Sequence, residues 1–378
     1  MRLRHIVRHV KKSFSSYSPI IEVLVYKDHL LHNINAYRRA AGNADIAPVI
    51  KSNAYGHGLS LVAEILDTQH VPFIVVDSLY EANLLRKEGI RSSILVIGFT
   101  PTENIRAAKR SIAFMVGTIA QLADLVQKRM QAEIHLKLDT GMHRQGILPE
   151  EFDGAIKLLL KDHKLSLEGL CSHLADADGD DPPFTKQQIK VWNDAVKKSR
   201  VAFPSLKYWH LAATAGIRFG RDIDANVARL GKGLYGINPT PLWPIDLKPA
   251  LEVRSVISAL RTLTGGEHIG YNGTFETKCE MKVATVPVGY YEGVDRRLSN
   301  KGAYLVRGIP CPIVGRVSMN ISSIDVSEIP DVKIGESVTI ISADLKAPNS
   351  VENVAKLCGT ISYEVLVRIP AHLSRKVV

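Results

Sequence analysis

Residues 45–66 read DIAPVIKSNAYGHGLSLVAEIL, and this stretch holds the key to the architecture. A β-rich apolar run, Ile46 to Ile50, breaks at Lys51 into a turn with two glycines, Gly56 and Gly58. Leu59, Val62, Ala63 and Leu66 then recur at the three- and four-residue spacing of a helix face. The pattern is one strand, one loop and one helix. It repeats outward along the chain, with strands predicted at Phe73 to Val76, Ile94 to Ile97, Ala113 to Val116, Ile134 to Leu138, Leu167 to His173, Tyr208 to Leu211 and Asn226 to Leu230. Helical spacing returns between them, as in Ile119, Leu122, Ala123 and Val126, or Ile189, Trp192 and Val196. Eight such units over roughly 200 residues suit a closed (β/α)8 TIM-type barrel, with an open doubly wound sheet as the alternative.

Beyond residue 245 the rhythm changes. Closely spaced strands are predicted at Val253 to Leu260, Met281 to Val288, Ala303 to Val306, Pro312 to Val317, Ser322 to Val326 and Ser337 to Ile341, punctuated by Gly265-Gly266, Asn272-Gly273 and Arg307-Gly308. The organisation expected is a basic extension over 1–19, a barrel over 20–245 and a C-terminal all-β domain over 246–378. The early run Ile20 to Val25 falls outside the eight-unit count and is free to join the β domain.

The 378 residues are 46% apolar and 23% charged, an ordinary globular composition that excludes disorder and fibres. No apolar run approaches the roughly 18–20 residues needed to cross a bilayer, so no membrane span is expected. Cys171, Cys279, Cys311 and Cys358 form no close pair, which signals neither a disulfide framework nor a zinc site and suits a reducing, cytoplasmic setting. Of the net charge of +10, five units come from Arg2, Arg4, Arg8, Lys11 and Lys12 in the acid-free first 19 residues. The rest is only mildly basic, without the aromatic and basic interleaving of a nucleic-acid binder. That tail reads as a solvated extension, with a targeting or surface-binding segment as the alternative.

The polar residues at the predicted strand ends carry the chemistry. Lys51, Lys137 with Asp139 and Arg144, His173, His210, and Arg229 followed by Gly231 all fall toward the carboxyl rim, where barrels place their active sites. A core would not tolerate so many unpaired charges, since each costs several kcal/mol. An amine at a barrel mouth, beside the Tyr55 hydroxyl and flanked by cations that lower its pKa, suits Schiff-base chemistry with a carbonyl cofactor. Thr214 and Gly231 follow strands seven and eight, where barrels commonly hold phosphate. An aldehyde-seeking lysine and phosphate donors across one mouth together suggest pyridoxal 5'-phosphate (PLP).

VIKSNAYGHG (49–58), LKLDTGMHRQG (136–146), SHLADAD (172–178), ARLGKGLYG (228–236), GYNGTF (270–275), VGYYEG (288–293), PIVGRVSM (312–319) and TISYE (360–364) resemble, in order, the alanine racemase family. The resemblance implies a PLP-dependent fold-type III isomerase that interconverts L- and D-alanine for cell-wall peptidoglycan. It also implies a homodimer whose two sites are shared between subunits. By matching position, Lys51 resembles the Schiff-base lysine and one catalytic base, and Tyr271, delivered by the partner, the other. Arg229 would face the pyridine nitrogen, positioned by His173, with His210 less certainly in contact. Tyr55, Thr214, Gly231, Lys232 and Tyr363 would hold the phosphate. Arg144 would meet the cofactor's phenolic oxygen and the substrate carboxylate. Lys137 resembles a lysine carbamylated in many members, and Tyr290 and Met319 would line the substrate entrance. Asn320, Ser52, Gln145 and Thr214 depart from the usual pattern and leave substrate range open. The rival readings are a racemase of serine, lysine or broad specificity, a non-catalytic PLP carrier, and a barrel decarboxylase.

Overall fold

A computed structural model describes residues 18–109, 111–162, 164–179 and 183–378. Most of the basic extension expected over 1–19 lies outside the described residues. The chain packs as two compact units. The barrel unit comprises Val25–Leu251, Ser342–Ala371 and Val377–Val378; the β unit comprises residues 18–24, Glu252–Ile341 and His372–Lys376.

Strand β1 is Glu22–Val25, and the barrel strands follow as β2 (Asp45–Pro48), β3 (Ile74–Val76), β4 (Ile94–Val96), β5 (Ile112–Val116), β6 (Ala132–Lys137), β7 (Leu165–Cys171), β8 (Tyr208–His210) and β9 (Val227–Leu230). They run parallel in the order β3-β4-β5-β6-β7-β8, with β2 beside β9. The ring closes at two seams. Val49 bridges Val75 and Ile50 N donates to Val75 O at 2.9 Å, while Asn226 N and Arg229 N donate to Trp209 O and Ala212 O. Strands buried on both sides need unbroken apolar runs, and Ile74 to Val76 and Ile94 to Val96 are fully buried. Capping hydroxyls set the helix starts: Ser78 Oγ accepts from Glu81 N and Thr118 Oγ1 from Gln121 N.

In the β unit the strands are β10 (Leu251–Val256), β11 (Ala259–Leu263), β12 (His268–Ile269), β13 (Phe275–Glu276), β14 (Met281–Val286), β15 (Ala303–Val306), β16 (Ile309–Pro312), β17 (Ser322–Asp325), β18 (Ser337–Ile341) and β19 (Ser374–Val377). One sheet has the order β16-β15-β18-β10-β1-β19 and a second β11-β14-β17. Ile269, Val283 and Val314 form a small core there with Leu263, Phe275 and Met281.

Three expectations need correction. The run expected over Val253 to Leu260 splits into two strands at Ile257-Ser258, where the pairing changes from β18 to β14. Of the run expected over Pro312 to Val317, only Pro312 lies in a strand, as the end of β16; beyond it Gly315 takes φ +78° and only Ile313 bridges β17. The region expected to be all-β to its end carries helices at Val351–Leu357 and Ser362–Val367. Val351, Val354 and Ala355 bury a helical face behind the Ser350 cap, and this segment packs within the barrel unit.

Candidate active site

Lys51 opens a turn with an unusual backbone. Ser52, Asn53, Ala54 and Tyr55 have φ of 55°, 57°, 51° and 51°, a left-handed turn without a glycine. Each such residue costs about 1–2 kcal/mol, so the surroundings must hold it. They do so through Gly58 N to Asn53 O at 2.9 Å, Leu59 N to Asn53 Oδ1 at 3.0 Å and the burial of Ala54 and Tyr55. Glu81 contributes from the neighbouring helix: Asp77 N donates to its Oε2 at 2.9 Å and Asn53 N to its Oε1 at 3.4 Å. Gly56 closes the turn at φ +84°, where an added Cβ would come within 2.2 Å of Leu366 O. The result holds the Lys51 amine 3.0 Å from the Asp77 carboxylate.

This ion pair lines a cavity of about 710 Å³. Tyr55, Lys137, Arg144, His173, His210, Thr214, Arg229, Gly231 and Tyr363 share the lining, so the structure gathers nearly every barrel residue singled out in the sequence. Lys232 is not among the lining residues; its ammonium lies 3.6 Å from Asp178 and 5.6 Å from the centre of the Tyr363 ring. Sequence reasoning missed Asp77 and Glu81. Asp77 directly follows β3, so the strand-end rule that found the others would also have found it. Glu81 carried only the signal of a helix cap.

At one side of the cavity Gly231 N donates to Thr214 Oγ1 at 3.0 Å. A Cβ on Gly231 would stand 3.4 Å from Tyr55 Oη and 3.7 Å from Thr214 Oγ1. Burial pushes the Tyr55 phenol well up and the Tyr363 phenol to about 12, so both stay protonated. Neither hydroxyl has a hydrogen-bond partner among the described residues. Two phenols and a threonine around a bare backbone are a donor set for phosphate.

Arg229, also in the lining, is buried and makes five hydrogen bonds. Nη1 donates to His210 Nδ1 and His210 O, and Nη2 to Ser172 O, Leu211 O and His173 Nδ1 at 2.6, 2.9 and 3.2 Å. All five acceptors are neutral. Burial and the Arg229 charge push His173 down to about 3, which keeps it an acceptor. Lys137 is buried as well, and burial together with Arg144 and Arg229 lowers its amine.

Tyr271, Tyr290 and Met319 belong to the β unit. Tyr271 stands on a turn between β12 and β13 and is 69% exposed; Tyr290 and Met319 are 45% and 55% exposed. Asn320, flagged in the sequence, donates to Glu292 Oε1 at 2.6 Å. Among the described residues no cluster suits a metal ion.

Known proteins define the class. The family described as "Alanine racemase, N-terminal domain" matches residues 25–239, and "Alanine racemase, C-terminal domain" matches 250–377. An alanine racemase of Sorangium cellulosum is 36% identical over 92% of this chain and 96% of its own length. One of Syntrophobacter fumaroxidans is 37% identical over 90% and 92%. A solved alanine racemase of Bacillus anthracis with bound L-Ala-P superposes with a TM-score of 0.88 at 30% identity, covering 96% of each chain. One of Clostridium difficile gives 0.89 at 28%, covering 96% of this chain and 97% of that one. These matches place the protein among the racemases, which are isomerases. The chain belongs to the alanine racemase family.

Proposed function

We propose that the protein interconverts L- and D-alanine with pyridoxal phosphate, using Lys51 of one chain and Tyr271 of a second. One observation carries the reading: a single cavity brings together the Lys51 amine, a neutral phosphate cradle and a buried arginine whose partners are all neutral. These residues fit the cofactor. The cradle of Tyr55, Thr214, Gly231 and Tyr363 suits its phosphate, and Lys51 suits its aldehyde. Arg229 Nε, which has no hydrogen-bond partner among the described residues, is a remaining donor for its ring nitrogen. When bound, the cofactor supplies the electron sink for a carbanion at Cα.

The residues of the chain supply the rest. Racemisation needs one base on each face of Cα, and Lys51 Nζ and Tyr271 Oη serve the two. Arg229 donates a hydrogen bond but holds its proton, because a guanidinium starts from a pKa above 12. Facing the ring nitrogen, it would hydrogen-bond to that nitrogen without giving it a proton. Arg144 meets the substrate carboxylate. Lys137, its amine lowered by burial, is suited to react with CO2 as a carbamate that orients Arg144. A second chain is supported by the exposure of Tyr271, Tyr290, Tyr291, Met319 and Ile321 on the β unit, apolar surface of the kind that oligomers cover.

The product would supply D-alanine for peptidoglycan, and cysteines that form no disulfide among the described residues suit a cytoplasmic setting. Asp77 in the cavity favours one other substrate, an amino acid with a basic side chain. The test is loss of optical rotation when the PLP-loaded protein meets single enantiomers of alanine, serine and lysine. Fastest loss with alanine supports the proposal; rotation preserved with all three contradicts it.

A further inference from the structure

The hydrogen-bonded chain that begins at Arg229 runs deeper than the cavity. Arg229 Nη1 lies 2.5 Å from His210 Nδ1, and His210 Nε2 lies 2.7 Å from His135 Nδ1. A guanidinium has donors and no acceptor. His210 Nδ1 must therefore present a lone pair, which puts the proton of the neutral ring on Nε2. That proton is donated to His135 Nδ1, so His135 carries its own proton on Nε2. One cation thereby sets both tautomers.

The fold makes room for the second imidazole. The pairing of β6 with β7 shifts register between Ile134 and His135, the kind of irregularity that re-aims a side chain beside an active site. Across from it stands Gly169, where an added Cβ would come within 2.5 Å of His135 Nδ1. Both rings are buried; Phe73 lies edge-on to His135 with centroids 5.2 Å apart, and Tyr208 stacks on it at 5.7 Å. His135 does not line the cavity, whereas His210 and Arg229 do.

We propose that His135 is a positioning residue for Arg229: by accepting the His210 Nε2 proton it fixes His210 in the tautomer that faces the guanidinium with a lone pair. Burial pushes both imidazoles down, His135 to about 3, so neither gains the second proton that would reverse the chain. Without an acceptor at position 135, His210 either buries an unpaired N–H or turns its Nδ1–H against Arg229, and both are costly. The inference rests on Arg229 facing the ring nitrogen of the cofactor, as proposed above.

The test uses the full chain labelled with 15N-histidine, whose nitrogen shifts and couplings report tautomers without any cofactor. The wild type should show protons on Nε2 of both His135 and His210. His135→Asn keeps an acceptor oxygen near the Nδ1 position; it should preserve the His210 tautomer and hold kcat within about threefold. His135→Leu should shift the His210 tautomer and lower kcat about tenfold or more, with KM little changed. A proton on His210 Nδ1 in the wild type overturns the inference. So does His135→Leu with tautomer and kcat both retained, or His135→Asn as slow as His135→Leu despite a retained tautomer. Should His135→Leu fail to fold, the wild-type tautomers and His135→Asn still decide. Wild-type tautomers as stated, without racemisation, would sink the reading of the site while leaving the positioning of Arg229 intact.

Discussion

Lys51 and Tyr271 both adjoin left-handed backbone, Lys51 just before Ser52 and Tyr271 just before Asn272, and their surroundings differ in every other respect. Beside Lys51, Ser52 to Tyr55 hold positive φ inside a hydrogen-bonded frame supplied by Asn53, Leu59 and Glu81, with Ala54 and Tyr55 buried. Tyr271 precedes Asn272 at φ 63° on a hairpin turn and is 69% exposed. The barrel unit thus carries a site organised by its own residues, whereas the β unit presents a phenol with nothing built around it. On the reading proposed above, the contrast teaches where each base would acquire its function: Lys51 from its own fold, Tyr271 from the surface of a second chain.

The sharpest break of that contrast is Lys51→Ala. On the proposed reading it removes both a base and the anchor for an aldehyde, and should lower the racemisation rate by about 10^4-fold while abolishing the long-wavelength absorbance of the loaded protein. A retained band would refute the role given to Lys51. Tyr271→Phe should cost about 10^2-fold and leave that absorbance unchanged, because only one face loses its base. Full rate in both directions would end the two-base scheme.

A third prediction concerns the barrel side alone. His135 and His173 titrate at about 3 when folded against 6.5 for an unperturbed histidine, and His210 is also pushed well down. Between those values the unfolded chain binds more protons than the folded one, so stability must fall as pH falls from about 6.5 towards 3. Urea midpoints at pH 7.5 and 5 check this, and equal midpoints at the two would count against buried neutral histidines. The smallest effect is expected from Thr214→Val, which removes a cradle hydroxyl and should weaken cofactor binding about tenfold without altering the ratio of forward to reverse rates. An unchanged dissociation constant would take Thr214 out of the cradle.

Much of this was legible from periodicity. The eight barrel strands lie where apolar runs alternate with helical spacing, because a strand buried on both faces leaves no other pattern. Rim residues were legible because charges at strand ends have no structural reason to be there. Asp77, which directly follows β3, was open to the same rule and was overlooked, whereas the other groups that escaped are defined by their partners. Glu81 matters through the backbone it clasps, and His135 through a register shift that no residue type announces. The helices Val351–Leu357 and Ser362–Val367 escaped because, at 7 and 6 residues, neither is long enough to repeat a helical spacing.

The central claim is that one site takes its lysine from one chain and its tyrosine from another, and mixing two inactive variants tests it directly. Unfold Lys51→Ala and Tyr271→Phe chains together, refold them with cofactor and assay racemisation. Random pairing makes half of the dimers mixed, each with one intact site of two, so activity should rise to about a quarter of the wild-type value. Activity no higher than the average of the two variants refolded separately would contradict the account.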